Sequence, residues 1–179
     1  MTRVKGFTLI ELMVTIAVAA ILISIAIPSF RNMIIDYRLT TIASDLADAV
    51  SFARSEAIKR NRTITFCQTN NASSNRCGGS GGWQHWLVVQ NAASASADAD
   101  DVIKRGTVST HNSTVQVTSD LNNNRLTFST DGLGRSGSAL INDAKITICA
   151  TSGPAESIRE ITLGAASRTS IRKVSGGCS

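Results

Sequence analysis

The chain changes its hydrophobic rhythm twice. From Phe7 to Ile27 the segment FTLIELMVTIAVAAILISIAI carries one charge, Glu11, and its 21 residues match the length an α-helix needs to cross the hydrocarbon core of a bilayer. Beyond Pro28, Leu39, Ile42, Leu46, Ala49, Val50, Ala53 and Ala57 recur every three or four residues, with Arg38, Asp45, Asp48, Arg54 and Lys59 elsewhere around the helix. That spacing predicts an amphipathic helix continuing to about Arg60. At 1.5 Å per residue, residues 7–60 make a rod about 80 Å long. Pro28 lacks an N–H and crowds the carbonyl four residues back, so a kink is expected near Ser24, close to the membrane exit.

After Asn61 the period falls to two. Short β-branched runs at 62–68, 83–90, 102–109, 114–118, 125–130, 145–150, 159–163 and 169–175 read as strands of a mostly antiparallel sheet. Turn chemistry separates them: GGSGG at 78–82, DLNNN at 120–124, TDGLG at 130–134 and SGGCS at the end. One apolar sheet face needs a cover, which the helix at 38–58 supplies. The expected fold is therefore α+β, a long N-terminal helix packed on a C-terminal β-rich head. Its divisions are a leader at 1–6, a membrane or filament-core helix at 7–29, an amphipathic helix at 30–61 and the head at 62–179. The low-complexity stretch AASASADADD at 92–101 reads as a surface loop.

A secretory signal places its small-residue cleavage site after the apolar run, whereas Gly6 stands before it. Cleavage there leaves the helix attached. Arg3 and Lys5 precede the apolar run, so the N-terminus is expected to stay cytoplasmic and the remainder to be sent across the membrane. Without those two residues the chain has 16 basic and 13 acidic side chains, a net +3, too mild a balance to name a partner. Cysteines at 67, 77, 149 and 178 show no CxxC spacing and fit disulfides on the oxidising side better than a zinc or thioredoxin-like site. Three connectivities exist; Cys67 with Cys77 and Cys149 with Cys178 is favoured because the first pair flanks one short loop.

Glu11 stands out, since a carboxylate in a lipid-spanning helix costs about 2–3 kcal/mol and usually has a partner. Cleavage after Gly6 would create an α-amine on Phe7, one turn away. In a filament, a neighbour's amine would pair with this acid. A plain anchor with an interfacial acid wetted by local water is the alternative. Gly6-Phe7-Thr8-Leu9-Ile10-Glu11 with the apolar stretch and Pro28 resembles the class III leader and N-terminal helix of type IV pilins and type II secretion pseudopilins, over residues 3–30. The resemblance implies cutting after Gly6 by a membrane-embedded prepilin peptidase, N-methylation of Phe7, and an inner-membrane assembly platform as partner. Phe128, Thr130, Asp131-Gly132, Arg135, the Ile146 to Cys149 strand, and Arg159, Ile161 and Leu163 before Gly164 further resemble FimT/FimU-type minor pilins and H-type pseudopilins. In that group a Gly-Arg-x-Arg tail near this position contacts DNA in competence pilins; here Gly164 is followed by Ala165-Ala166-Ser167-Arg168.

Candidate chemistry is sparse. GGSGG formally matches GxSxG, but a nucleophile elbow needs a preceding strand and a following helix, and this segment precedes a strand. His85 and His111 have no acid at a spacing that would orient them as bases. Asp98, Asp100 and Asp101 lack the glycine and distal glutamate of an EF-hand loop. No catalytic residue, metal or cofactor is expected. Arg159, Arg168, Arg172 and Lys173 face only Glu156 and Glu160 in the last 24 residues; gathered together they would contact phosphates of double-stranded DNA without reading sequence. The bland reading is a strand edge kept soluble by charge. Two expectations follow: a structural minor pilin or pseudopilin that joins other pilins in a tip or priming complex, or a competence pilin whose basic C-terminal region captures DNA.

Overall fold

The computed structural model describes residues 6–79, 82–90, 101–108, 114–152 and 156–178. The leader residues Arg3 and Lys5, Ser80 and Gly81 of the GGSGG turn, most of the 92–101 segment, and His111, Asp98 and Asp100 lie outside them.

A single helix, α1 (Leu9–Arg60), runs unbroken through Pro28. Thr8 caps its start by accepting the Glu11 N–H (3.3 Å), the first half of an S/T-x-x-E capping box that satisfies an otherwise orphan donor. Asn61 ends it in the left-handed conformation (φ 51°), which asparagine tolerates better than most residues. The apolar periodicity at Leu39, Ile42, Leu46, Ala49, Val50, Ala53 and Ala57 is the buried face. Its alanines let the helix sit close to the strands, while its leucines and Val50 fill the space between them.

The head contains β1 (Ile64–Thr69), β2 (His85–Gln90), β3 (Val102–Thr107), β4 (Val115–Ser119), β5 (Arg125–Phe128), β6 (Gly134–Ser136), β7 (Ala139–Leu140), β8 (Asp143–Ala150), β9 (Ile158–Gly164) and β10 (Thr169–Val174). Each of the eight expected runs forms a strand. The single sheet expected from them is instead two, ordered β3-β2-β1-β5-β6-β7 and β10-β9-β8-β4. Alternation identifies which stretches are extended but not which neighbours they choose, and β4 pairs β8 rather than β3. The TDGLG segment, expected as a turn, also opens a short β6–β7 hairpin at Gly134. A Cβ at Gly134 would meet Ser167 Oγ at 3.0 Å, and Ser167 Oγ accepts the Gly134 N–H.

Inward side chains of both sheets, among them Ile64, Phe66, Phe128, Ile146, Ile148, Ile161 and Leu163, meet α1 in one core. Phe66 stacks on Trp83 at 5.1 Å between ring centroids. β1 is buried on both faces: Cys67 on its far side joins Leu87 and Val89 in a second apolar cluster packed by Cys77.

Candidate functional site

The apolar half of α1 has no cover among the described residues. Leu9, Ile10, Leu12, Val14, Ile16, Ile21 and Ile25 are all exposed, and so is Glu11. A helix that is hydrophobic all round is stable only inside lipid or protein, so this half is a surface awaiting an environment. It is long and apolar enough to cross a membrane. Phe7 and Gly6 sit ahead of its first turn, exposed.

Where the exposed half gives way to the packed half, charged groups fasten helix to head. Arg159 on β9 is only 1% exposed. Its Nη2 donates to Asp36 Oδ1, Nε to Thr40 Oγ1 (3.3 Å), and Nη1 to the carbonyls of Glu156 (3.1 Å) and Ile158 (3.0 Å). Lys173, opposite Arg159 on β10, donates to both Asp36 oxygens at 3.2 Å. Asp36 and Thr40 are one turn apart and share a face, so one carboxylate on the helix gathers cations from two strands. Partial burial pushes the Asp36 pKa up, but hydrogen bonds and charge from Arg159 and Lys173 outweigh it and hold the carboxyl below its ordinary value. In the last turn, the bond from Arg60 (2.5 Å) likewise holds the Glu56 pKa low, against the burial that raises it and with the charge of Lys59 assisting.

These contacts correct the grouping of Arg159, Arg168, Arg172 and Lys173 as one phosphate-facing patch. Arg159 is sealed under the helix with its guanidinium fully engaged, and Lys173 is paired with Asp36. Arg168 and Arg172 are exposed. The physical reason lies in register: Arg159 occupies an inward position of the iBiBiBi alternation of β9. The acid that neutralises it, Asp36, is 123 residues away in sequence. Local spacing carries no trace of that pairing.

Cys67 is bonded to Cys77 and Cys149 to Cys178. The first bond closes the loop after β1 over the second apolar cluster; the second ties the tail to the end of β8. His85 faces Thr107 across β2 and β3. Among the described residues no group of three His, Cys, Asp or Glu side chains comes together in a way that would hold a metal.

Comparison with known proteins places this architecture. The family model for the type II transport protein GspH matches residues 43–167, and that of the prokaryotic N-terminal methylation motif matches residues 1–27. The type IV narrow pilus major component PilA5 of Thermus thermophilus is 32% identical over 117 residues, covering 63% of this chain and 98% of that protein. The type IV major alpha-pilin of Moraxella bovis is 45% identical over 47 residues, 26% of this chain and 30% of its own length. This chain thus spans less than a third of the Moraxella pilin it matches. The crystal structure of the type IV minor pilin FimU of Pseudomonas aeruginosa superposes with a TM-score of 0.56 at 19% identity, over 76% of this chain and 90% of that one, which shows a shared fold. The N-terminal methylation motif and the GspH match over the head together make the chain a member of the GspH family within the type IV pilin and pseudopilin superfamily.

Proposed function

We propose that the protein is a non-enzymatic minor pilin or pseudopilin that assembles through its N-terminal helix into a tip or priming complex of a type IV pilus or type II secretion pseudopilus. The observation that carries this reading is the fully exposed apolar half of α1 with Glu11 near its start. A prepilin peptidase cuts between Gly6 and Phe7 and methylates the new amine. Before assembly the helix anchors the subunit in the inner membrane, with its N-terminus cytoplasmic and its head periplasmic; an assembly platform in that membrane then receives it. Inside the filament Glu11 pairs with the Phe7 amine of an adjoining subunit, where little water competes. Pro28 bends the helix where it leaves the bilayer. Mass spectrometry of the membrane-extracted protein is expected to find a chain beginning at N-methyl-Phe7; a product retaining Met1 would overturn the reading.

DNA capture for uptake is a second reading, supported by the exposed Arg168 and Arg172 beside and on the edge strand β10. A salt-dependent gel shift of the head lacking residues 1–34, lost in Arg168→Ala/Arg172→Ala, would favour it. No shift at low salt removes it.

A further inference from the structure

Between the span and the head, α1 has a neck at 28–38. Leu39 is the first residue of the helix that the head buries. On the neck, Phe30 and Tyr37 are 62% and 73% exposed, and Arg31 is exposed as well. With residues 7–27 filling the hydrocarbon core, Phe30 lies about 5 Å, Arg31 about 6 Å and Tyr37 about 15 Å beyond it along the helix. The headgroup layer of a bilayer is about 5–8 Å thick on each side, so Phe30 and Arg31 fall within it. The neck carries three charged side chains, Arg31, Asp36 and Arg38. Asp36 is taken by Arg159 and Lys173 of the head. Arg31 and Arg38 have no hydrogen-bond or ion-pair partner among the described residues. Seven positions apart, they share one face of the helix, about 10 Å from each other.

We infer that Arg31, with Arg38 behind it, binds the phosphate of an anionic phospholipid in the periplasmic leaflet, and so sets the depth at which the unassembled subunit sits. Three observations select that partner. Arg31 stands at the level of the phosphates, and side chains on a helix lean toward its N-terminus, so both arginines incline toward the bilayer. The guanidinium is planar and pairs with a phosphate through two parallel N–H donors, while its aliphatic stem rests on apolar surface such as the boundary that Phe30 occupies. Finally, basic residues are ordinarily retained on the cytoplasmic flank of a span; two on the far flank, neither engaged by the head, oppose that bias and match a negative surface. A zwitterionic headgroup carries its own cation beside the phosphate, so the combined charge of Arg31 and Arg38 favours an anionic one. This inference rests on the membrane-anchored stage of the proposed function and adds a lipid contact to it.

The test reconstitutes the chain beginning at Phe7 into nanodiscs of equimolar phosphatidylglycerol and phosphatidylcholine, and counts the lipids retained on the protein by native mass spectrometry. Residues 7–30 carry no basic side chain, and the N-terminal amine is the same in every variant. Phosphatidylglycerol is expected to be retained over phosphatidylcholine at least fivefold. Arg31→Gln is expected to reduce that preference at least threefold and Arg31→Gln/Arg38→Gln to abolish it, with the unfolding midpoint of the head unchanged. Arg62→Gln, which removes an exposed charge just beyond the far end of α1, is expected to leave the preference intact. No preference in the parent protein, or one that survives the double substitution, would overturn the inference. A spin label at the exposed Asn32 provides a second measurement: it is expected to sit deeper in phosphatidylglycerol discs than in phosphatidylcholine discs, and equal depths would count against the contact. The two failures are distinguishable, since a chain that enters the discs without lipid preference removes only this inference, whereas one that does not enter them removes the membrane anchor as well.

Discussion

The two halves of α1 are equally helical but depend on different partners. From Leu39 to Ala57, the helix buries alternating large and small side chains against both sheets; from Leu9 to Phe30, large apolar side chains point in every direction and none is covered. The packed half derives its stability from tertiary contacts, which is what sustains most helices in proteins. The bare half has no such contacts among the described residues, and in the proposed function lipid or other subunits supply them. A stripe of hydrophobicity thus encodes an intramolecular partner, and a full cylinder of it encodes an external one.

Substitutions should separate the halves by where their effects appear. Glu11→Ala is expected to lower filament incorporation at least tenfold, since removing one member of a desolvated charged pair costs about 2–5 kcal/mol, while head stability stays unchanged. Immunoblotting of sheared filaments reads the first quantity and denaturant unfolding the second; normal incorporation would break the comparison. Leu46→Ala should destabilise the head by about 2–5 kcal/mol, the usual cost of emptying a fully buried leucine site. Leu22→Ala, measured in detergent by the tryptophan fluorescence of Trp83 and Trp86, should change it by less than about 0.5 kcal/mol. Equal losses would mean the bare half packs on the head after all. Replacing Cys149 and Cys178 by serine opens a loop with a sequence separation of 29 and should cost about 3–4 kcal/mol; the separation of 10 at Cys67 and Cys77 predicts about 3 kcal/mol.

The smallest effect belongs to the junction between the halves. Asp36→Asn should cost about 1–2 kcal/mol, below the range for breaking a buried pair because the carboxylate is partly hydrated. Its pH dependence has a defined sign. The Asp36 pKa is lowered from 3.8 in the folded protein, so its contribution is complete above that value and fades as pH falls through the folded pKa. Glu56, lowered from 4.5, behaves alike. Acid titration of head stability should therefore fall less steeply in Asp36→Asn than in the parent protein, and identical acid limbs would show that the clamp contributes nothing.

Much of this architecture was legible because it is local. The helix end at Arg60, the buried positions from Leu39 to Ala57 and the eight main strands follow from periodicity. The Thr8-x-x-Glu11 capping signature is local too, but it went unread beside the apolar run that it opens. What was not legible is non-local. The division into two sheets depends on β4 choosing β8, and the burial of Arg159 depends on an acid 123 residues away. Basic residues at 159, 168, 172 and 173 look alike in sequence; only the alternation of β9 and β10 against α1 separates the buried from the exposed. The β6–β7 hairpin was hidden because glycines in TDGLG signal turns, yet Gly134 is there for close approach to Ser167.

The continuity of α1 from Leu9 to Arg60 also determines how the subunit carries mechanical load. Tension entering through the bare half passes along one covalent rod and reaches the head as shear over the Leu39–Ala57 contact, about five turns long. That contact, rather than any single strand pairing, is the seam across which the head would be pulled.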